Sequence, residues 1–385
     1  MSSAVRTRIL LAAAWATACA RAAPPPAAPE ANRVATRSGA VLQFQTFVSG
    51  LEVPWSMAFT SPSRLLVTER PGRVRIVEGG SLRARPLAVL PDVEARGESG
   101  LMGLALAPDY DTSRQLYLCY AYDVPIGTEV RVARFRDDGD ALSQRAVIVE
   151  GIPAARYHAG CRLRFGPDGK LYVTTGDATD GRIAQDLASL GGKTLRLNPD
   201  GTIPSDNPFP GSPVFSLGHR NSQGLDWNPA SGLLIETEHG PSGFDGPGGG
   251  DEINIVEAGK NYGWPIIHHR AAREGLVSPL LEYTPAVAPS GASFSRGELL
   301  PSFRGDFFFA TLIGERLIRV RFDPKSPRQV SETEELVRGV YGRLRDVVSG
   351  PDGALYVATS NRDGRGRPRP GDDRILRVVE APPVP

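Results

Sequence analysis

His158, in "RYHAGCRLRFGPDG", is suited by type to move a proton, because imidazole titrates nearest neutrality. Asp177 ends "LYVTTGD", the second arm of the same predicted hairpin, where its carboxylate can fix that imidazole in one tautomer. The competing reading makes His158 a plain buried hydrogen-bonder. Arg343 and Arg345, in "GRLRDVVSGPDG", lie two apart on a predicted strand and so project from one face. With Arg220 of "LGHRNSQGL" they can grip a multiply charged anion through paired hydrogen bonds; a solvated basic rim is the alternative. "EHGPSGFDGPGGGDEINIVEAGKNYGWP" sets Glu238, Asp245, Asp251 and Glu252 among glycine carbonyls, hard oxygen donors suited to calcium but without EF-hand spacing. Metal-free turns have the same composition. His219, beside Arg220, is expected to share a central cleft with His158, whereas His268 and His269 read as surface residues.

Groups this far apart in sequence need a scaffold that gathers them. From Leu51 onward one unit recurs: an apolar segment, a turn rich in Pro, Asp and Gly, and a second apolar segment. It begins at Trp55, Leu101, Arg162, Gln223, Phe303 and Leu344, most plainly in "RLRFGPDGKLYVTTGD" and "LRDVVSGPDGALYVATSNRDG". Proline presets the turn and glycine accepts its left-handed position. The flanking residues follow the strand period. Six such units predict an all-β fold, a six-bladed β-propeller of four-stranded antiparallel sheets; a β-sandwich rarely repeats one hairpin six times. Glycine (43) and proline (34) make up about a fifth of the 385 residues, which disfavours helical bundles. "VLQFQTFV" near Val41 and "DDRILRVVE" near the C-terminus are spare strands expected to pair and close the ring. Pro204–Pro213 and Pro241–Ile267 are expected as loops above the ring, where function belongs.

Composition removes several function classes. With 44 basic and 43 acidic residues there is no field to hold nucleic acid. Five histidines and three cysteines are too few for a multi-zinc protein. No Walker loop, nucleophile elbow or HExxH helix occurs, and "GPGGGDE" lacks the strand–turn–helix setting of a nicotinamide fingerprint. Residues 1–22 read as a secretory leader: Arg6 and Arg8 precede an apolar run from Ile9 to Ala20 and a small-residue exit. Cys19 allows a lipid-anchored form. Residues 23–38 read as a flexible Pro/Ala-rich tether and 39–382 as the propeller. The mature chain is expected to be exported: periplasmic, with or without a lipid anchor, or secreted. There Cys119 and Cys161 can bridge or remain two buried thiols.

The ordered set "LEVPWSMAF", "GLMGLALAPDY", the His158 segment, "GGKTLRLNPDGTIPSDNPF", "GHRNSQGL", "DEINIVEAGKNYGWP" and "RLRDVVSGPDG" resembles the soluble quinoprotein glucose dehydrogenase and aldose sugar dehydrogenase family. The likeness runs from about Leu51 to Val379. It implies a six-bladed propeller binding pyrroloquinoline quinone (PQQ) and calcium, and oxidising aldoses at the anomeric carbon to lactones. By this resemblance His158 takes the C1 hydroxyl proton while hydride passes to the quinone, and Asp177 orients His158. Arg220, with Asn221 beside it, polarises the quinone carbonyl; Arg343 and Arg345 hold the cofactor's carboxylates. Gly240 and Pro241 give carbonyls to the cofactor's calcium, and Glu252 and Tyr262 match ligands of a second, structural calcium. An external quinone or cytochrome would take the electrons. The chain departs from glucose-oxidising members at Tyr157, where they carry an acid, and at Glu98, where they carry glutamine. Gly314 and Glu315 stand where they carry a quinone-contacting lysine. These departures predict an altered, broader sugar site. Two other functions fit such a scaffold: a calcium-dependent lactonase or related hydrolase, and a non-catalytic binding domain.

Overall fold

In the computed structural model, which describes residues 32–382, the Pro-Asp-Gly segments form the hairpins that the sequence predicts. Gly169 and Gly353 take φ of 70° and 84°, which an L side chain resists. Five of the six predicted units join the two inner strands of their blade, whereas the unit from Phe303 supplies the second and third strands of its blade, Phe307–Thr311 and Leu317–Asp323; the antiparallel blades stand in a ring. The innermost strands are Pro54–Ser61, Leu101–Leu106, Leu163–Phe165, Ser222–Trp227, Pro289–Phe294 and Leu344–Ser349, which open blades 1 to 6 in that order. Each packs against the next around the axis, and the sixth returns to the first. The fold is therefore the expected six-bladed propeller.

Blade 6 closes the ring by pairing Val41–Ser49 with Arg374–Glu380, as the spare strands suggested. One boundary moves. Asn32–Ala35 pairs with Val41–Ser49 as a fifth, outermost strand, so the sheet begins inside the stretch read as tether. Its sequence, NRVA, is too short and polar to announce a strand. The leader, Cys19 and the rest of the tether lie outside the described residues.

The apolar core is divided among the seams. Six clusters of buried side chains fill the six spaces between neighbouring blades, such as Trp55, Met102, Tyr117, Leu163 and Val173 between blades 2 and 3. Cys119 and Cys161 are bonded to each other across that seam. The axis is polar. Arg162 spans it, donating to the Gln223 carbonyl (2.8 Å) and Ser56 Oγ (3.0 Å) and pairing with Asp346 (3.0 Å) above the Trp55 ring. This layer separates one open end of the channel from the other.

Pro241–Ile267 meets the expectation only in part, because Asp251–Val256 inside it is a strand of blade 4. Pro204–Pro213 does not lie above the cleft. It joins the third and fourth strands of blade 3 and is pinned at the far end, where Arg196 binds Asp168, Asp206 and Asn207. Connections between second and third strands reach the cleft end, and those between third and fourth start from the opposite one.

Candidate active site

His158 lies in the loop that enters blade 3, with φ of 59° in the sparsely populated left-handed region. Gly176 allows the loop to press on the neighbouring strand, since a Cβ there would stand 1.8 Å from the His158 carbonyl oxygen. Nδ1 of His158 lies 2.7 Å from Asp177 Oδ1, and as the ionised carboxylate can only accept, the ring donates. Asp177 is fixed in turn by the Thr179 N–H (2.8 Å) and by Trp264 Nε1 (2.8 Å). Its own N–H donates to the Arg220 carbonyl (2.8 Å), which ties blade 3 to blade 4. The imidazole is 4% exposed and lines a cavity, with Nε2 left to meet a ligand.

That cavity, about 420 Å³, opens at the starts of the inner strands and falls within the roughly 300–1,000 Å³ usual for small-molecule sites. Five arginines line it: Arg70, Arg220, Arg343, Arg345 and Arg365. Three are paired, Arg220 with Asp245 (2.7 Å), Arg343 with Asp363 (2.8 Å) and Arg365 with Glu98 (2.9 Å). Two have no carboxylate. Arg70 donates only to carbonyls, and burial lowers its pKa. Arg345 donates to Gln223 Oε1 (3.1 Å) and Ser290 Oγ (3.3 Å), its buried Nε has no partner, and burial pushes it down to about 10. Buried donors without acceptors suit an anionic guest.

Toward the cavity the acidic loop offers no free carboxylate, since Asp245 is taken by Arg220. Asp251 accepts from the Gly240 amide (2.8 Å) and from the Val287 and Ala288 amides (2.7 Å each). Gly240 and Pro241 line the cavity; a Cβ on Gly240 would stand 2.2 Å from the Gly250 carbonyl oxygen and 2.3 Å from that of Gly249. The available donors there are therefore backbone oxygens. His239, also on the wall, donates Nε2 to the Pro289 carbonyl (2.8 Å), and burial pushes it down to about 4, leaving it neutral.

His219 corrects the sequence reading. It does not line the cleft but sits fully buried behind it, with Nδ1 2.9 Å from Glu238 and 3.0 Å from Glu236. Burial opposes its charge, yet those carboxylates raise it to about 10, so it is an imidazolium at neutral pH. Glu252 and Tyr262 border this cluster, also outside the cavity. Asn254 Nδ2 bridges Glu238 and Glu252, and burial beside Glu238 raises the Glu252 carboxyl well above its ordinary range. The Tyr262 hydroxyl donates to the Ile255 carbonyl (2.5 Å) and accepts from the Glu257 amide (2.9 Å), so its carbonyl is the atom left for a cation.

The glucose/sorbosone dehydrogenase profile matches residues 51–376. The chain belongs to the glucose/sorbosone dehydrogenase family. Aldose sugar dehydrogenase YliI of Escherichia coli is 33% identical over 84% of this chain and 92% of its own length. Quinoprotein glucose dehydrogenase B of Acinetobacter calcoaceticus is 26% identical over 88% of this chain and 89% of its own length. The PQQ-bound aldose sugar dehydrogenase of Streptomyces coelicolor superposes with a TM-score of 0.78 at 34% identity, covering 93% of this chain and all of that one. This family member is therefore an oxidoreductase of the sugar dehydrogenase type.

Of the residues singled out from sequence, His158, Arg220, Gly240, Pro241, Arg343 and Arg345 line the one cavity, with Asp177 directly behind His158. Asn221 lies behind the wall: its Oδ1 accepts from Gly160 and Gln223, and its buried Nδ2 has no partner. The sequence reading missed Arg70, Asp363, Arg365 and Trp264. Their only signal was a place in turns such as "NRDGRG", which acquire meaning when the ring closes. Gly314 and Glu315, which stand in the place expected of the lysine, do not line the cavity; the preceding Leu312 and Ile313 do, while Arg70 and Arg365 add cations elsewhere.

Proposed function

We propose that this protein oxidises aldoses at the anomeric carbon to lactones with PQQ and calcium. The observation that supports it most is the His158–Asp177 pair on the wall of a cavity that also holds five guanidiniums. The residues fit a flat anion with several carboxylates: Arg345 Nε is a buried donor without an acceptor, and Arg70 and Arg345, both on the cavity wall, have no carboxylate partner. Backbone oxygens around Gly240 and Pro241 suit calcium. Glu252 with the Tyr262 carbonyl suits a second calcium, since a raised carboxyl beside another acid wants a counter-cation.

PQQ, when bound, supplies the two-electron acceptor for the C1 hydride. The chain supplies the rest. His158 Nε2 accepts the C1 hydroxyl proton, and Asp177 stabilises the resulting imidazolium and keeps Nδ1 protonated. Trp264 and Thr179 hold Asp177 in plane. Arg220, clamped by Asp245 and Ser242, presents fixed positive charge where negative charge develops. Arg343 and Arg345 grip carboxylates. An external quinone or cytochrome then removes the electrons, and the enzyme works outside the cytoplasm, consistent with the leader-like residues 1–22 and the Cys119–Cys161 bridge.

The test is reconstitution: purified apoprotein receives calcium, PQQ, a panel of aldoses and a dye acceptor. Dye reduction that requires PQQ is expected. Opening of sugar lactones without PQQ would instead establish the hydrolase.

A further inference from the structure

Phe244 is the only phenylalanine among the described residues left exposed, at 64%. Its ring lies 6.0 Å from the His158 ring, centre to centre, at an interplanar angle of 24°. Scattered exposed aliphatic side chains need no explanation, but an aromatic face laid parallel to the imidazole and open to solvent does. Its loop is not loose. Asp245 accepts from Arg220 Nε (2.7 Å) and from the Ser242 amide (2.9 Å), and Ser242 Oγ accepts from Arg220 Nη2 (3.0 Å). Arg220 in turn stacks on Trp264, which holds Asp177. One connected set of contacts therefore fixes Phe244 relative to His158. On the cavity wall Ile313 is a second exposed apolar side chain, at 63%.

We infer that Phe244 is the platform for the sugar ring, extending the wall of the active site outward from His158 so that a pyranose with its C1 hydroxyl at Nε2 lays a C–H face on the phenyl ring. The ligand class follows from the surface. A cavity lined by arginines binds charge, whereas an exposed phenyl ring binds apolar area, and an aldopyranose with equatorial hydroxyls presents a face of axial C–H bonds. Phe244 is thus a specificity residue for aldopyranoses and Asp245 a positioning residue for both Phe244 and Arg220. The inference rests on the sugar dehydrogenase reading, and the experiment separates the two.

F244A and F244W are compared with wild type in the calcium- and PQQ-loaded protein. F244A is expected to raise KM for aldopyranoses about three- to tenfold while kcat falls much less, and F244W to restore KM. PQQ affinity, read by fluorescence titration, should not move. Saturation-transfer NMR with 1,5-anhydroglucitol, a pyranose lacking the oxidisable anomeric hydroxyl, reads ring contact without turnover; its signal should fall in F244A and return in F244W. If signal and KM are the same in F244A and wild type, the platform is wrong. If wild type turns over no aldose yet shows a Phe244-dependent signal, the platform stands and the dehydrogenase reading fails.

Discussion

The two ends of the channel are built from the same six inner strands and treat polar groups in opposite ways. At the end where those strands start, His158 sits at positive φ, Arg70 and Arg345 lack carboxylates, and Arg345 Nε and Asn221 Nδ2 have no partner. Where the strands finish, Asp226 accepts from the Phe294 amide (2.7 Å), the Trp227 amide (2.9 Å) and both terminal nitrogens of Arg296 (2.7 and 2.8 Å), and pairs with Arg164 (3.2 Å). The second end encloses the larger space, about 550 Å³ against 420 Å³. Size therefore does not mark the site. Charge left unpaired does: both arginines lining the larger space, Arg164 and Arg296, pair with Asp226, whereas Arg70 and Arg345 on the wall of the smaller one have no carboxylate and are open to an anion.

Four substitutions at three places would break or sharpen this contrast. The largest effect belongs to the His158–Asp177 pair. H158A removes the base and D177N, whose amide can donate to Nδ1, favours the wrong tautomer; each should cut kcat by about 10²- to 10⁴-fold, with PQQ affinity near wild type by titration. The second falls at the opposite end. Burial alone would raise the Asp226 carboxyl, but Arg164, Arg296 and the Phe294 amide hold it below the ordinary range. A depressed carboxylate stabilises the fold above the unfolded-state value, near 4, and loses that contribution as pH falls further through the folded one. D226N should cost roughly 3 kcal/mol, less to the extent that water screens the partly exposed arginines, and should flatten the acid limb of the Tm–pH curve while kcat stays put. The smallest is R345A, expected to weaken PQQ by about 10- to 100-fold, the equivalent of one charged hydrogen-bonding group, without lowering kcat at saturating cofactor.

What was legible in the sequence was mostly local. Pro-Asp-Gly between two strand-like runs specifies the inner hairpins of blades 3 and 6, so those blades could be read directly, whereas the unit from Phe303 gave the right strands but the wrong place in the blade. His158 and Asp177 share one such hairpin, and Arg343 and Arg345 alternate on one strand, so both pairs were visible. Residues joined only by ring closure were not. Trp264 reaches Asp177 from another blade, and Arg365 of blade 6 meets Glu98 in the connection between blades 1 and 2. His219 misled because its neighbour Arg220 turns to the cavity while it turns into the seam. Pro204–Pro213 misled because loop length does not say which end a loop occupies; the direction of the preceding strand does.

The most direct test of the account is a calorimetric titration of PQQ into calcium-loaded protein, run in parallel on wild type, R345A and D226N. One site per chain is predicted, weakened by R345A and untouched by D226N. No binding in wild type, or binding that R345A leaves unchanged, would contradict the assignment of the open polar end as the cofactor site.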